Sequence, residues 1–304
     1  METNQNIIPN LWFNKEAEEA AKFYTSIFGN SKIGGKTYYA KEGQEIHGQK
    51  EGQVMTIEFQ IENYKMVGLN GGPIFKLNPS ISFFVMCDTE VEENNLWANF
   101  CEGGNILMPL DRYDWSGKYG WVQDRFGVSW QFMLREGDET TQKISPSLLY
   151  MGPQRGHAEE ALRFYTDIFK HSNIDGIKKY EKEEIAPEGF VKHAQFQLLG
   201  QNFMVMDAGQ DGAFRFNEAM SFIVHCKDQD EIDYYWKKLG NGGDPKAQQC
   251  GWLKDKFGVS WQIVPTVLME LLKSGEKEKT ECLFKAFMTM KKLDIETLKS
   301  AFKG

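Results

Sequence analysis

The sequence predicts an α+β fold built from two consecutive copies of one domain, each made of two strand–helix–three-strand units. The first observation is that AEEAAKFYTSIF at 17–28 returns as AEEALRFYTDIF at 158–169. The second is that GWVQDRFGVSWQ at 120–131 returns as GWLKDKFGVSWQ at 251–262. Two long motifs repeated in the same order indicate a tandem duplication of the chain.

Hydrophobic periodicity predicts the elements of copy one. Apolar residues recur at helical spacing from Ala17 until Gly29 ends the pattern, whereas residues after Gly52 alternate as in a half-buried strand. Copy two repeats the same plan. The expected elements of copy one are, in order, a strand at 10–13, a helix at 16–28, strands at 52–61 and 64–69, a turn at 70–73, a strand at 82–87, a helix near 90–101, and strands near 106–108, 119–123 and 129–134.

The repeat also predicts the domain organisation. We expect a first domain at 1–138, a polar linker at 139–146, a second domain at 147–265 and a helical tail at 266–304. Apolar residues of the tail fall at helical spacing, and Asp294 is a candidate N-cap of its last helix. The apolar stripe is expected to pack against the second domain, with a dimer contact as the alternative.

Composition narrows the class of protein. The chain of 304 residues is 41% hydrophobic and carries a net charge of −8, which predicts a globular fold and argues against nucleic-acid binding. No apolar run is long enough for a membrane span, and no secretory signal is visible. Five cysteines without metal-type spacing predict a reduced, cytoplasmic protein. Self-association is open, as a monomer or a homodimer.

Several segments together resemble one known family. They are the helix ending in Phe23-Tyr24, the turn at 70–73, the motif at 124–131 and the tail segment MTMKKLDI at 288–295. They are similar to the PhnB-like branch of the vicinal oxygen chelate superfamily, also called the glyoxalase, bleomycin-resistance and dioxygenase superfamily. The resemblance implies pairs of βαβββ units whose strands form a curved, cup-shaped sheet around a cavity.

In the metal-dependent relatives, four His or Glu ligands line the cup and hold a divalent ion. The corresponding positions here are Ser82 and Ser221 on the fifth strands, and Gln131 and Gln262 on the last strands. Hydroxyl and neutral amide groups are poor ligands for Zn, Ni or Fe. The first strands of both copies also lack His and carboxylate residues. We therefore expect no bound metal and no cofactor.

Members of this branch often carry the description 3-demethylubiquinone-9 3-methyltransferase. No glycine-rich loop follows a strand in Rossmann-like order, so the sequence predicts no site for S-adenosylmethionine. The Gly71-Gly72-Pro73 turn is explained by a connection between antiparallel strands.

Polar residues that share a strand face are the candidate cup lining. Glu58 and His193 are candidate general bases, because each lies on a central strand face expected to point inward. The structural alternative is that both are hydrogen-bonded spacers. The candidate ligand-binding residues are Thr56, Gln131, Trp121, Gln195, Asp207, Ser221, Cys250, Trp252 and Gln262.

Other residues near the expected cavities receive weaker assignments. Cys250 is read as a buried inert thiol, with a nucleophile as the alternative. His225 is expected at the surface or as a filler. The segment 111–118, rich in aromatic and charged residues, is a candidate lid over the first cup.

The sequence therefore predicts a protein that binds a small organic molecule without a metal. One alternative is an enzyme of the same superfamily that uses Glu58 or His193 as a general base. Another is a metal-dependent lyase or dioxygenase, which would require a one-residue error in the strand register. Copy two is expected to be the active copy, because it holds His193, Asp207 and Cys250.

Overall fold

The computed structural model describes residues 5–41, 44, 48–135, 142–274 and 276–303. The secondary structure repeats one module four times. The first module contains β1 (Ile7–Phe13), α1 (Ala17–Ile27), β2 (Lys32–Tyr38), β3 (Val54–Ile61) and β4 (Tyr64–Asn70); the second contains β5 (Ile81–Cys87), α2 (Glu90–Cys101), β6 (Asn105–Tyr113), β7 (Ser116–Gln123) and β8 (Ser129–Leu134).

Copy two supplies the other two modules and the tail. The third module contains β9 (Ile144–Tyr150), α3 (Ala158–Ile168), β10 (Asn173–Lys179), β11 (Val191–Leu198) and β12 (Gln201–Asp207); the fourth contains β13 (Met220–Cys226), α4 (Gln229–Gly240), β14 (Trp252–Lys254) and β15 (Ser260–Pro265). The tail forms α5 (Thr266–Leu272), α6 (Lys277–Met288) and α7 (Ile295–Lys303).

The strands form two sheets, and each sheet combines one module from each copy. One sheet has the order β14-β15-β13-β1-β4-β3-β2, from the first and fourth modules. The other has the order β10-β11-β12-β9-β5-β8-β7-β6, from the second and third modules. The chain accordingly divides into unit 1 (residues 1–25, 32–75 and 217–304) and unit 2 (residues 26–31 and 76–216).

This pairing corrects the expectation that 1–138 and 147–265 each close a sheet of their own. In unit 1, β1 of copy one pairs antiparallel with β13 of copy two, with Asn10 opposite Ser221. In unit 2, β5 pairs antiparallel with β9. Of the predicted linker 139–146, residues 139–141 lie outside the described residues, and residues 144–146 already belong to β9.

Two more elements differ from the sequence expectation. A strand not predicted, β2, contains Gly34 and Gly35, which interrupt the alternation that identifies a strand. The segment expected as a lid, 111–118, instead belongs to the β6–β7 hairpin of unit 2.

The repeated Asp-x-Phe-Gly-Val-Ser-Trp motif is a buried turn between the last two strands of a module. Asp124 Oδ1 accepts hydrogen bonds from the backbone N–H groups of Phe126 at 2.9 Å and Val128 at 3.0 Å, and its Oδ2 accepts from Trp130 Nε1 at 2.9 Å. Asp255 makes the same three bonds in unit 1. The carboxylate satisfies backbone donors that the tight turn would otherwise bury unpaired, so the motif has a structural role.

The C-terminal helices pack on the sheet of unit 1. Leu268 of α5, Leu283 of α6 and Leu298 of α7 are buried in one apolar cluster with residues of the sheet. The sheet residues come from both copies: Val67, Ile223 and Val264. The tail therefore contacts copy one as well as copy two. As expected, Asp294 caps the last helix, because its Oδ1 accepts from the Thr297 N–H at 2.8 Å. None of the helices described is long and apolar enough to cross a bilayer.

One carboxyl group of unit 2 is buried at a cost. The Glu93 side chain is fully buried in α2, and neither of its oxygens has a hydrogen-bond partner among the described residues. Lys118 Nζ lies 3.9 Å away. Burial raises the pKa of Glu93 above its ordinary value of 4.5. The equivalent residue of α4 is Ile232, which is also fully buried.

We predict that Glu93→Ile raises the free energy of unfolding by about 1–3 kcal/mol at pH 7. A raised carboxyl pKa in the folded state means that ionised Glu93 opposes folding, and that this cost disappears as pH falls to 4.5. The difference between variant and wild type should therefore be largest at neutral pH and shrink toward pH 4.5. Urea unfolding at several pH values measures it, with exposed Glu90→Gln as control. A destabilised variant at pH 7 would contradict the prediction.

Candidate functional site

Unit 1 contains a cavity of about 750 Å³ on its sheet, covered in part by α5 and α6. Its size lies in the range of small-molecule sites. Side chains from β1, β3, β4, β13 and β15 line it together with residues of the C-terminal helices. The apolar part of the lining includes Ile8, Val67, Ile223, Val264, Leu268 and Leu272.

Three neutral polar side chains meet on adjacent strands at this face. Ser221 Oγ of β13 accepts hydrogen bonds from Gln262 Nε2 of β15 at 2.9 Å and from Asn10 Nδ2 of β1 at 3.4 Å. Asn10 and Gln262 line the cavity, and Ser221 is fully buried beneath them. Asn10 is not among the site residues predicted from the sequence, because a neutral amide on a first strand is not a ligand of the expected His or carboxylate type.

Thr56 and Glu58 also line this cavity. The hydroxyl groups of Thr56 and Thr37 are 2.6 Å apart, so one donates to the other across β2 and β3. The Glu58 carboxylate forms an ion pair with Lys273, with Oε1 and Nζ 2.7 Å apart. This ion pair links β3 to the end of α5. Because its carboxylate is paired with Lys273, Glu58 is a weaker candidate for a general base.

His225, expected at the surface or as a filler, is a further residue of this cavity. It lines the cavity, and its Nδ1 is buried without a hydrogen-bond partner among the described residues. Burial is the main cause of the lowered pKa of His225, which favours a neutral ring. Ser221, Ile223 and His225 are alternate residues of β13 and therefore share one face of the strand. This shared face with Ser221 could have identified His225 from the sequence.

Cys250 and Trp252 stand at another part of the same cavity. The Trp252 ring makes an edge contact with Trp12, with centroids 6.2 Å apart. The Cys250 Sγ lies 3.8 Å from both the carbonyl oxygen and the sulfur of Met288 at the end of α6. Burial raises the pKa of the Cys250 thiol, so the thiol form predominates at neutral pH.

In unit 2, an apolar cluster and two hydrogen-bonded polar residues pack on the sheet beside a polar groove. Gln131 is buried, accepts from the Tyr119 hydroxyl at 2.5 Å, and donates from Nε2 to Ser82 Oγ at 2.6 Å. Trp121 donates from Nε1 to Ser129 Oγ at 2.7 Å. Both predicted ligand-binding residues are thus held in internal contacts, within an apolar cluster formed by residues such as Phe84, Met108, Tyr113, Met133 and Met204.

His193 and Gln195 line a more open, polar groove on β10–β12 of unit 2. The His193 ring makes an edge contact with Phe84 at 6.1 Å between centroids. Burial, with a smaller contribution from Lys178, lowers the pKa of His193. Copy two was expected to be the active copy because it holds His193, Asp207 and Cys250, and the structure places the first two in unit 2 and Cys250 in unit 1.

Asp207 accepts hydrogen bonds from three backbone N–H groups of unit 2. Its Oδ1 accepts from the Gly156 and Ala158 N–H groups at 2.7 and 3.2 Å, and its Oδ2 accepts from the Val191 N–H at 2.9 Å. These bonds join the start of α3 to β11. Asn70 does comparable work in unit 1, where Oδ1 accepts from the Ala17 N–H at 2.9 Å. The geometry therefore favours a structural role for Asp207 over ligand binding.

The polar side chains at the centre of the unit 1 cavity differ in type from the metal ligands of the superfamily. Asn10, Ser221 and Gln262 occupy the centre of the cavity face, and they hydrogen-bond to each other through neutral amide and hydroxyl groups. Within the described part of the chain, no cluster of three or more His, Cys, Asp or Glu residues could hold a metal ion. These residues do not fit a transition metal.

Comparison with known proteins places this geometry in a family. The model of the 3-demethylubiquinone-9 3-methyltransferase family matches residues 5–133 and 142–264. The chain belongs to this family. It is therefore a tandem member of the PhnB-like branch of the vicinal oxygen chelate superfamily, as the sequence motifs predicted. The two matches coincide with the two sequence copies, and not with the two units of the structure.

A solved structure shows the same fold over most of this chain. Glyoxalase I from Zea mays is 12% identical, with a TM-score of 0.57 over 89% of this chain and 97% of that chain. A PhnB protein from Bacillus cereus is 36% identical, with a TM-score of 0.40 over 43% of this chain and 100% of that chain. The search of curated proteins gives no match.

We predict that Asp207→Ala lowers the free energy of unfolding by about 2–4 kcal/mol, because three backbone donors lose their acceptor. Asp207→Asn, which introduces the residue of copy one, should cost only about 1 kcal/mol, since one oxygen acceptor remains. Chemical denaturation measures both. A stable Asp207→Ala protein would contradict the structural role.

Cysteine labelling tests the environment of Cys250. The exposed thiol of Cys282 should react first with iodoacetamide at pH 7.5, and half-buried Cys250 more slowly because its pKa is raised. Buried Cys87 and Cys226 should react only on unfolding. Peptide mass spectrometry over time gives the order, and labelling of Cys250 as fast as Cys282 would be the contrary result.

Proposed function

We propose that this protein binds a small organic molecule in the cavity of unit 1 and holds it without a metal ion. The observation that carries the proposal is the difference between the two cups. Unit 1 has a cavity of about 750 Å³ with a largely apolar lining beneath α5 and α6, whereas the equivalent strand positions of unit 2, at His193, Gln195 and Asn202, line a more open polar groove.

The difference follows from the last hairpin of each sequence copy. In copy one, β6 and β7 form a long hairpin whose Tyr113, Trp115 and Tyr119 rings contact each other, with centroids 4.6 to 5.8 Å apart. In copy two, the three residues of β14 follow a short 3-10 helix, Pro245–Ala247. Among the described residues, copy two has no counterpart of this long aromatic hairpin, and in unit 1 the C-terminal helices cover the sheet instead.

The methyltransferase description of the family is not carried over to this chain. The glycine turn after β4, the one candidate for a cofactor loop, is explained by packing. A Cβ at Gly71 would lie 2.2 Å from the Trp12 ring, and Trp12 Nε1 donates to the Gly72 carbonyl oxygen at 2.8 Å.

We expect all five free cysteines to remain reduced in the cytoplasm. The oligomeric state, a monomer or a homodimer, remains a prediction.

An enzyme of the same superfamily is the second candidate, and one observation favours it. His225 lies in the cavity with a lowered pKa and an unpartnered Nδ1, so its neutral ring is able to accept a proton from a bound molecule. The candidate general base is then His225. The two residues predicted for this role are less suitable, because His193 lies in unit 2 and Glu58 is paired with Lys273.

The binding proposal is tested by screening small organic molecules against the full chain by thermal shift, followed by calorimetry of the hits. Thr56→Trp should abolish binding, because the new ring fills the cavity. His193→Trp, at the equivalent strand position of unit 2, is the matched control and should bind as wild type. Binding should also persist in a chelator. Unchanged binding by Thr56→Trp, or a stoichiometric transition metal in the purified protein, would contradict the proposal.

We predict that His225→Met lowers the affinity for such hits about three- to tenfold, the cost of one hydrogen bond. The fold should tolerate the change, because Met86 occupies the equivalent position of β5 in unit 2. A binding protein loses affinity alone. If His225 is a general base, turnover of a bound substrate should disappear while binding is largely kept, and product analysis of mixtures with each hit separates the two cases.

A further inference from the structure

Basic side chains border one end of the unit 1 cavity. Lys32 of β2 is paired with Gln60 of β3, and Gln60 is paired with Lys65 of β4, so the three residues form a row across adjacent strands. All three line the cavity. Lys65 is also close enough to His225 for its charge to contribute to the lowered pKa of that ring. The row and His225 therefore belong to the same end of the cavity.

The charges at this end are not neutralised within the described part of the chain. Neither Lys32 nor Lys65 forms an ion pair with a described residue. Glu58 is the one acidic residue in the described lining, and it is engaged by Lys273. This excess of positive charge occurs in a protein whose net charge is −8. A bound anion would be stabilised here by two ammonium groups and a hydrogen bond from the His225 ring.

The duplication shows that the fold does not require these basic residues. The equivalent row in unit 2 is Asn173, Gln197 and Asn202, with the same strand pairing. Even the support of the row is repeated. Gln5 bonds both backbone groups of Lys65, through Oε1 at 2.6 Å and Nε2 at 2.8 Å.

Gln142 makes the same two backbone bonds to Asn202, at 3.1 and 3.4 Å. The backbone arrangement is thus kept in both units, while Lys32, Lys65 and His225 of unit 1 are replaced by Asn173, Asn202 and Met86 in unit 2. Basic side chains accompany the largely apolar cavity of unit 1, and neutral ones occupy the equivalent positions of unit 2, where the groove at Asn202 is polar.

We propose that the cavity of unit 1 selects organic acids, with the apolar body beneath α5 and α6 and the anionic group at Lys32, Lys65 and His225. The inference rests on the proposed binding function and names its ligand class. The apolar residues of β1, β4, β13 and α5 supply the contact for the body of such a molecule. The lysines at the rim supply charge and hydrogen bonds for its carboxylate.

Three probes with one chain length and different head groups test the inference: decanoate, 1-decanol and decyltrimethylammonium. Calorimetry on the full chain should give decanoate an affinity at least about tenfold higher than decanol, the increment of a charge-assisted contact. Decyltrimethylammonium should bind weakest. The advantage of decanoate should shrink as salt is raised from 0.05 to 0.5 M, because exposed charges are screened.

The decisive variant carries Lys32→Asn and Lys65→Asn, the two residues that copy two holds at these positions. It should lose the preference for decanoate and keep the affinity for decanol within about twofold, since the apolar contacts remain. The control carries Lys15→Gln and Lys22→Gln, which remove the same charge from exposed positions of unit 1 outside the cavity lining. It should behave as wild type.

The outcomes separate the two proposals. Equal affinity of wild type for decanoate and decanol, or an unchanged preference in the double asparagine variant, overturns the inference and leaves the binding function standing. Failure of all three probes to bind, or binding that Thr56→Trp does not affect, overturns the proposed function as well.

Discussion

The antiparallel pairing of β1 with β13 is the interaction on which the candidate site depends. It places Asn10 of copy one opposite Ser221 of copy two, and parallel pairing of β13 with β15 then adds Gln262. A cavity whose lining comes from the first and the fourth module exists only because these strands share a sheet. The pairing of β5 with β9 performs the same task in unit 2.

The two units cover the same kind of sheet in different ways. In unit 2 the long β6–β7 hairpin supplies Tyr113, Trp115 and Tyr119, whose rings contact each other, and burial of Tyr119 stabilises the unit. In unit 1 the hairpin is short, and the apolar surface is covered by helices joined to the chain after β15. Helices that contact the sheet through Leu268 and Leu272 leave room between them and the strands.

Comparison of the copies within one chain separates structural from functional residues. Asp124 and Asp255 make identical bonds to a tight turn, and Asn70 and Asp207 both fix the start of a helix. Residues that agree in type and contacts maintain the module. The positions that differ, such as Lys65 and Asn202, line a largely apolar cavity in unit 1 and a polar groove in unit 2.

The sequence by itself determined the module: its strands, its helices, their order and which residues face the core, because these follow from local periodicity and turn chemistry. The strand β2 escaped detection since Gly34 and Gly35 break its alternation. Family membership also followed from local motifs.

Only the tertiary structure decided which modules share a sheet, and therefore which candidate residues meet. Alternation along β13 indicates that Ser221 and His225 share a face, but it contains no information about the neighbouring strand. Four similar modules offer each first strand several partners of similar chemistry, and the choice among them depends on pairings distant in sequence, such as that of Asn10 with Ser221. As a result, Glu58 and Cys250 belong to one unit and His193 belongs to the other.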